Sequence, residues 1–306
     1  MTLSPDLHPR GVYCAALTPL DAELRPDHER FVAHCRSLVA DGCRGVALLG
    51  TTGEANSFST GERKALLEAA VEGGLRPDQL LPGTGVSALT ETVELTRHAL
   101  SLGVSSVVML PPFYYKDVSE DGLFAAYAET IERVGDPRLR VVLYHIPQVS
   151  ALPIPFGLIE RLRARYPQVV VGIKDSAGKL EHMTALVQSF PGFAVLSGAD
   201  PLMLPLLRAG GAGAITATTN LVAADLAFVH AHHADASRAA EVEAAQQRVV
   251  AMRSLASTHA QMASLKVLLA ARTGHDGWRR LRPPLLALGE AQRQELLAGL
   301  ARLQAG

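Results

Sequence analysis

Eight short apolar runs separated by helix-length segments, glycine or proline at the junctions, and polar residues where the runs finish predict an α/β protein. The pattern is that of a (β/α)8 TIM barrel with a C-terminal helical extension. The runs occupy 12–17, 45–49, 80–83, 106–110, 141–146, 169–173, 194–197 and 214–217. Each has the length of a buried parallel strand, and eight is the number of strands that closes a barrel. Between them apolar residues recur at helical spacing, as in Phe31, Val32, Cys35, Leu38 and Val39, or Leu66, Leu67, Ala70 and Val71. Gly73-Gly74, Pro111-Pro112 and Gly210-Gly211 punctuate the junctions.

After residue 220 the strand pattern stops. The rest is rich in Ala, Leu and Arg with helical period (Val242, Ala245, Val249, Met252; then Leu265, Leu268, Leu269), and Pro283-Pro284 precedes a final helix. Residues 1–220 are therefore expected to form the barrel, and 221–306 an extension packed on it as one structural unit.

Of 306 residues 48% are hydrophobic, enough for a large core without disulfides or a structural metal. The net charge of −1 argues against a generally basic nucleic-acid binder. Cys14, Cys35 and Cys43 are odd in number and lack C-x-x-C spacing, which fits a reducing compartment and no metal site. The opening MTLSPDLHPR has no apolar core for a signal peptide, and no run reaches the roughly 18 residues of a membrane span. A cytoplasmic protein without membrane or nucleic-acid partners is expected.

Barrel enzymes carry their chemistry at the carboxyl ends of the strands. Those ends here hold Gly50-Thr51-Thr52-Gly53-Glu54, Phe113-Tyr114-Tyr115, Tyr144-His145, Lys174-Asp175-Ser176, Ser197-Gly198, and Thr216 with Thr218. Arginine supplies most of the 29 basic residues; the only lysines are Lys64, Lys116, Lys174, Lys179 and Lys266. Lys174 alone lies in a strand, where Val170, Gly172 and Lys174 share one face. An amine in an apolar barrel mouth is stripped of water, the condition in which lysine attacks a ketone to form a Schiff base. A lysine at a strand end also pairs with a neighbour such as Asp175 or extends to solvent. Lys64 lies on a helix face, Lys179 precedes a helix and Lys266 belongs to the helical tail; these three read as ordinary. Tyr144 ends a neighbouring strand and can serve as acid and base above the amine, or be a core tyrosine. Thr51 and Thr52, flanked by glycines, can converge on an anion or cap a helix with Glu54 in support.

Five motifs in order, Gly50-Thr-Thr-Gly-Glu54, Pro112-Phe-Tyr-Tyr115, Tyr144-His-Ile-Pro147, Gly172-Ile-Lys-Asp175 and Ser197-Gly198, resemble the dihydrodipicolinate synthase/N-acetylneuraminate lyase family of class I, pyruvate-binding aldolases. The resemblance implies that Lys174 forms the Schiff base and Tyr144 moves protons. Thr51 would join the proton relay and Thr52 the carboxylate site. Tyr114 would be the relay tyrosine that reaches into a neighbouring subunit, in a homotetramer built as a dimer of dimers. Ile215 would meet pyruvate through its backbone, with Gly50 and Gly198 in the same substrate site. No cofactor is implied beyond the covalent lysine imine with pyruvate, and no metal.

The sequence departs from the synthase pattern after Tyr144. Where that pattern places a carboxylate-gripping arginine, this chain has Val149, which makes no bidentate contact. The expected substrate is therefore a 4-hydroxy-2-oxo acid such as a 2-keto-3-deoxy sugar acid. The synthase reaction of pyruvate with aspartate semialdehyde is the alternative. His145 and Gln148 are candidates for contacts with the second substrate, or for loop packing. Three other readings are weaker. Gly83-Thr-Gly85-Val-Ser-Ala88 imitates a dinucleotide fingerprint without its acidic residue. His230, His232 and His233 diverge on a helix and do not gather as metal ligands. A non-catalytic keto-acid-binding barrel would not need lysine, tyrosine and both threonines together.

Overall fold

The structure, a computed structural model, describes residues 9–305; most of the MTLSPDLHPR segment lies outside them. Seven parallel strands, β1 (Gly11–Ala15), β2 (Gly45–Ala47), β3 (Ser106–Met109), β4 (Arg140–His145), β5 (Val170–Asp175), β6 (Ala194–Ser197) and β7 (Gly213–Thr216), run in the order β2-β1-β7-β6-β5-β4-β3. The open edges, β2 and β3, are joined by the third apolar run. Leu81 N–H donates to Val46 O at 2.9 Å and Gly83 N–H to Leu48 O at 2.9 Å on one side, and Thr84 N–H donates to Val108 O at 3.0 Å on the other. Pro82 has no N–H to give β3, which leaves this segment bridged on both sides and short of a full ladder. The barrel is thus closed by seven strands and one extended segment.

Side-chain alternation divides the apolar residues into two layers. Tyr13, Ala15, Leu81, Val142, Tyr144, Leu196 and Ile215 fill the barrel interior. A larger outer layer, including Val12, Cys14, Val46, Leu143 and Ile173, packs under the helices, and the three cysteines are free and buried.

The helix Thr219–His232 begins directly after β7. Its Asn220 amide binds Ala15 O at 2.9 Å and accepts the Leu17 N–H at 3.1 Å, so this helix belongs to the barrel wall. The expected boundary at 220 falls inside it. Beyond it, Ala239–Ala256, Gln261–Thr273 and Glu290–Ala305 enclose a separate core of Leu265, Leu268, Leu269, Trp278 and Leu296. His34 ties that core to the barrel: its ring meets Trp278 edge-on at 4.9 Å, and its Nε2 lies 2.8 Å from Asn220 Oδ1. Among the described residues no helix is long and apolar enough to cross a membrane.

Candidate active site

The site is built on the neighbouring strands β4 and β5, whose register sets Tyr144 directly beside Lys174. Both side chains point into the barrel mouth and both are buried; the Lys174 amine lies 4.2 Å from the centre of the Tyr144 ring. Among the described residues no carboxylate lies within ion-pair distance of this amine. Gly172, one step below on the same face, is required by the neighbouring strand: a Cβ there would meet Ala194 O at 2.6 Å.

The Thr51 and Ser176 hydroxyls and the Lys174 amine lie close enough to the Tyr144 phenol to favour its ionised form. Burial pushes its pKa up, but the positive charge of Lys174 and the polar influence of these three groups outweigh burial and hold it below the ordinary tyrosine value. It therefore gives up its proton more readily than a free tyrosine, a property suited to moving protons at the amine.

Thr51 reaches Tyr144 because its turn is held at both ends. Leu49 and Glu54 take left-handed backbone angles, φ 57° and 58°, which side chains adopt only when their surroundings enforce them. Gly53 packs against the barrel wall, where Thr18 Oγ1 donates to Gly53 O at 2.8 Å. The fully buried Glu54 carboxylate is paired with Lys266, whose amine also donates to Arg280 O at 2.7 Å. Lys266 is 0% exposed, so its ordinary appearance in the sequence is misleading: it anchors the threonine turn from the helical extension. Its burial is shared by every residue from Ala263 to Ala270, and its partner Glu54 lies too far along the chain for a local pattern to reveal it.

Of the substrate-binding candidates, Thr52 adjoins Thr51 in the turn, Gly50 faces open space, and Ile215 lies on β7 in the barrel interior. Gly198 abuts Ser176, where a Cβ would stand 1.9 Å from the Ser176 hydroxyl. Ser176, not among the expected site residues, is brought to Tyr144 by the turn after β5: Ser176 N–H donates to His145 O at 2.8 Å and Gly198 N–H to Asp175 O at 2.7 Å. Tyr114 is not gathered at the site within one chain. It is 71% exposed, and its ring meets that of Tyr115, which is 72% exposed, edge-on at 5.3 Å.

His145 departs from expectation. Strand alternation turns it away from Tyr144 onto the outer face, where it stacks on His182 at 4.9 Å and its Nδ1 accepts the Ile154 N–H at 3.0 Å. Burial lowers its pKa, with Asp175 opposing and His182 assisting. Asp175 also faces outward, receiving His182 Nδ1 at 2.6 Å and the Ala177 N–H at 2.8 Å. These three side chains bring ligand atoms within 4.8 Å of one another, as a metal site would. However, the Ile154 bond places the His145 proton on Nε2, where a metal would need a lone pair. Gln148 stays near the mouth, with its amide nitrogen 2.6 Å from Ser176 O. Val149 is 59% exposed beside it. His230, His232 and His233 do not converge: His233 Nδ1 contacts His230 O at 2.7 Å and His232 Nε2 contacts Arg238 at 3.0 Å.

Residues 8–303 match the model of the Dihydrodipicolinate synthetase family. The chain is 37% identical over 302 residues to an uncharacterized DapA-like lyase of Chloroflexus aurantiacus, covering 97% of this chain and 98% of the relative. It is 30% identical over 299 residues to a 4-hydroxy-tetrahydrodipicolinate synthase of Acidiphilium cryptum, covering 96% and 98%. Among solved structures, a dihydrodipicolinate synthase from Agrobacterium tumefaciens superposes with a TM-score of 0.88 at 28% identity, covering 96% of this chain and 99% of that one. A prophage protein of the dihydrodipicolinic acid synthase family from E. coli K12, solved in complex with pyruvate, gives a TM-score of 0.88 at 25% identity, covering 96% and 98%. The motifs, the barrel and these likenesses agree: the chain belongs to the dihydrodipicolinate synthetase family and is a pyruvate-dependent carbon–carbon lyase.

Proposed function

We propose that the protein is a class I aldolase that cleaves, or in reverse forms, a 4-hydroxy-2-oxo acid such as a 2-keto-3-deoxy sugar acid, with pyruvate as one product. The observation that carries this reading is the buried Lys174 amine lying against Tyr144 with no carboxylate partner. An unpaired, desolvated amine beside an acid–base phenol is what imine chemistry requires.

The steps follow from these groups. Unprotonated Lys174 adds to the C2 ketone, and loss of water, with Tyr144 supplying the proton, gives a protonated imine. Tyr144, as phenolate, then takes the proton of the C4 hydroxyl. The C3–C4 bond breaks, its electron pair moves toward the iminium nitrogen to form the enamine, and the aldehyde leaves. Protonation at C3 and hydrolysis return pyruvate and the free amine. Thr51 links Tyr144 to the turn and, with Tyr114 of a second copy, would complete the proton path. The exposure of Tyr114 supports that second copy, and hence an oligomer, tetrameric if it follows the pattern the motifs resemble. Thr52, Gly50, Gly198 and the Ile215 backbone would seat the pyruvoyl carboxylate. The lysine imine replaces any separate cofactor.

The synthase reaction is a second reading, favoured by the relative of Acidiphilium cryptum that bears that name. Val149, apolar and exposed where a carboxylate grip is needed, weighs against it. Pyruvate release from a panel of 4-hydroxy-2-oxo acids, run beside condensation of pyruvate with aspartate semialdehyde, tests the choice. Cleavage of at least one aldol acid and negligible condensation are expected; efficient condensation would overturn the aldolase reading.

A further inference from the structure

The residue after Lys174 is an acid, yet the two side chains are kept apart. Strand alternation sends Lys174 into the barrel mouth and Asp175 to the outer face, where the carboxylate is fully buried. A buried carboxylate needs a matching charge or good donors. Among the described residues no lysine or arginine forms an ion pair with Asp175. Its partner is His182, whose Nδ1 lies 2.6 Å from Oδ2, while the Ala177 N–H donates to Oδ1 at 2.8 Å. His182 stands in the first turn of the helix Leu180–Ser189, which follows β5. Its ring is held from two sides: His145 stacks on it at 4.9 Å and Phe156 meets it edge-on at 5.4 Å. The strand end itself is secured by main-chain bonds, Ser176 N–H to His145 O and Gly198 N–H to Asp175 O, which do not involve the carboxylate.

We propose that His182 is a positioning residue for the imine chemistry: by taking the Asp175 carboxylate on the outer face, it keeps that charge from acting on the Lys174 amine. This deepens the aldolase reading and rests on Lys174 forming the imine. The titratable groups that face the carboxylate are His182 from its helix and His145 from β4. His145 is a poor substitute, since its Nδ1 is committed to the Ile154 N–H and burial disfavours its charged form. Phe156 closes the cluster from the helix Phe156–Arg165 without a charge. On the inner face the amine meets the Tyr144 phenol, and Cys14 of β1, which feels Lys174, is kept a neutral thiol by burial. Without His182, a desolvated negative charge would stand one residue from the amine with a single N–H to answer it. A nearby negative charge favours the ammonium form, which has no lone pair to add to a ketone.

The test follows the rate at which cyanoborohydride traps pyruvate on the full chain as a function of pH. In His182→Leu the acid limb of that profile should move up by about 0.5–1 pH unit, a loss of about three- to tenfold on the limb with the high-pH plateau retained. His182→Asn, whose amide nitrogen can stand in for Nδ1, should stay within about twofold of the parent at every pH. Adding Asp175→Asn to His182→Leu removes the stranded charge and should bring the limb back, a recovery that a purely structural role for His182 would not produce. Asp175→Asn alone, with His182 present, should leave the limb in place; this arm stands even where His182→Leu does not fold. A limb unmoved in folded His182→Leu, a shift not restored by Asp175→Asn, or a downward shift of about 0.5 unit in Asp175→Asn alone overturns this inference and leaves the lysine imine standing. No trapping by the parent at any pH overturns both.

Discussion

The molecule buries two lysines, and the contrast between them separates catalysis from architecture. Lys174 is 6% exposed and Lys266 is 0% exposed, so burial does not distinguish them. Their partners do. Lys266 is matched by the buried Glu54 carboxylate and by Arg280 O. Burial lowers its pKa while Glu54 opposes that shift, and a charge so compensated remains a structural cation. Lys174 meets a phenol ring and no carboxylate, so nothing commits its lone pair to a salt bridge. One lysine fixes the turn that carries Thr51, and the other uses it.

Substitutions at the two sites should therefore fail in different ways. Lys174→Ala should lose activity by a factor of about 10⁴ or more with little change in melting temperature, since it removes the nucleophile and no ion pair. Residual turnover near the unmodified rate would refute its role. Tyr144→Phe should lower kcat by about 10²–10⁴ while the protein still binds pyruvate, as expected for a group that moves protons. Lys266→Met should cost about 3–5 kcal/mol of stability in denaturant unfolding, because it strands the Glu54 charge in the core. Adding Glu54→Gln to that variant should recover part of the loss. If Lys266→Met unfolds at the same denaturant concentration as the parent, the pair does not anchor the turn.

The smallest expected effect concerns a buried base with a neutral partner. Burial, partly offset by Asn220, lowers the pKa of His34 to about 4, so between that value and about 6.5 the unfolded chain binds more protons than the folded one. The stability His34 contributes is fully present above about pH 6.5 and is lost as the pH falls toward 4. The shift corresponds to about 3 kcal/mol at most. Unfolding curves across this range should flatten in His34→Gln, and an unchanged slope would contradict the assignment.

Much of this was legible in the sequence where a local rule had one outcome. The apolar runs became strands because parallel strands buried on both faces must be apolar throughout, and Lys174 was conspicuous because such a strand has no ordinary place for an amine. Strand register sets Tyr144 beside Lys174, and the threonine turn brings Thr51 near Tyr144. Other features depended on distances along the chain that no local pattern encodes. Lys266 meets Glu54 across 212 residues. His145 was misplaced although the alternation that turns Tyr144 inward also turns its neighbour outward; the rule was legible there and the motif obscured it. Ser176 escaped selection because a serine in a turn is common, and its place near Tyr144 is fixed by the strand-end geometry.

The central claim, that Lys174 alone among the lysines is the nucleophile, is tested most directly by reducing the protein with borohydride in the presence of pyruvate and mapping the adduct by peptide mass spectrometry. The account predicts one reduced pyruvyl group per chain, on Lys174, absent from Lys174→Ala and retained in Lys266→Met. An adduct on another lysine, or none at saturating pyruvate, would contradict it.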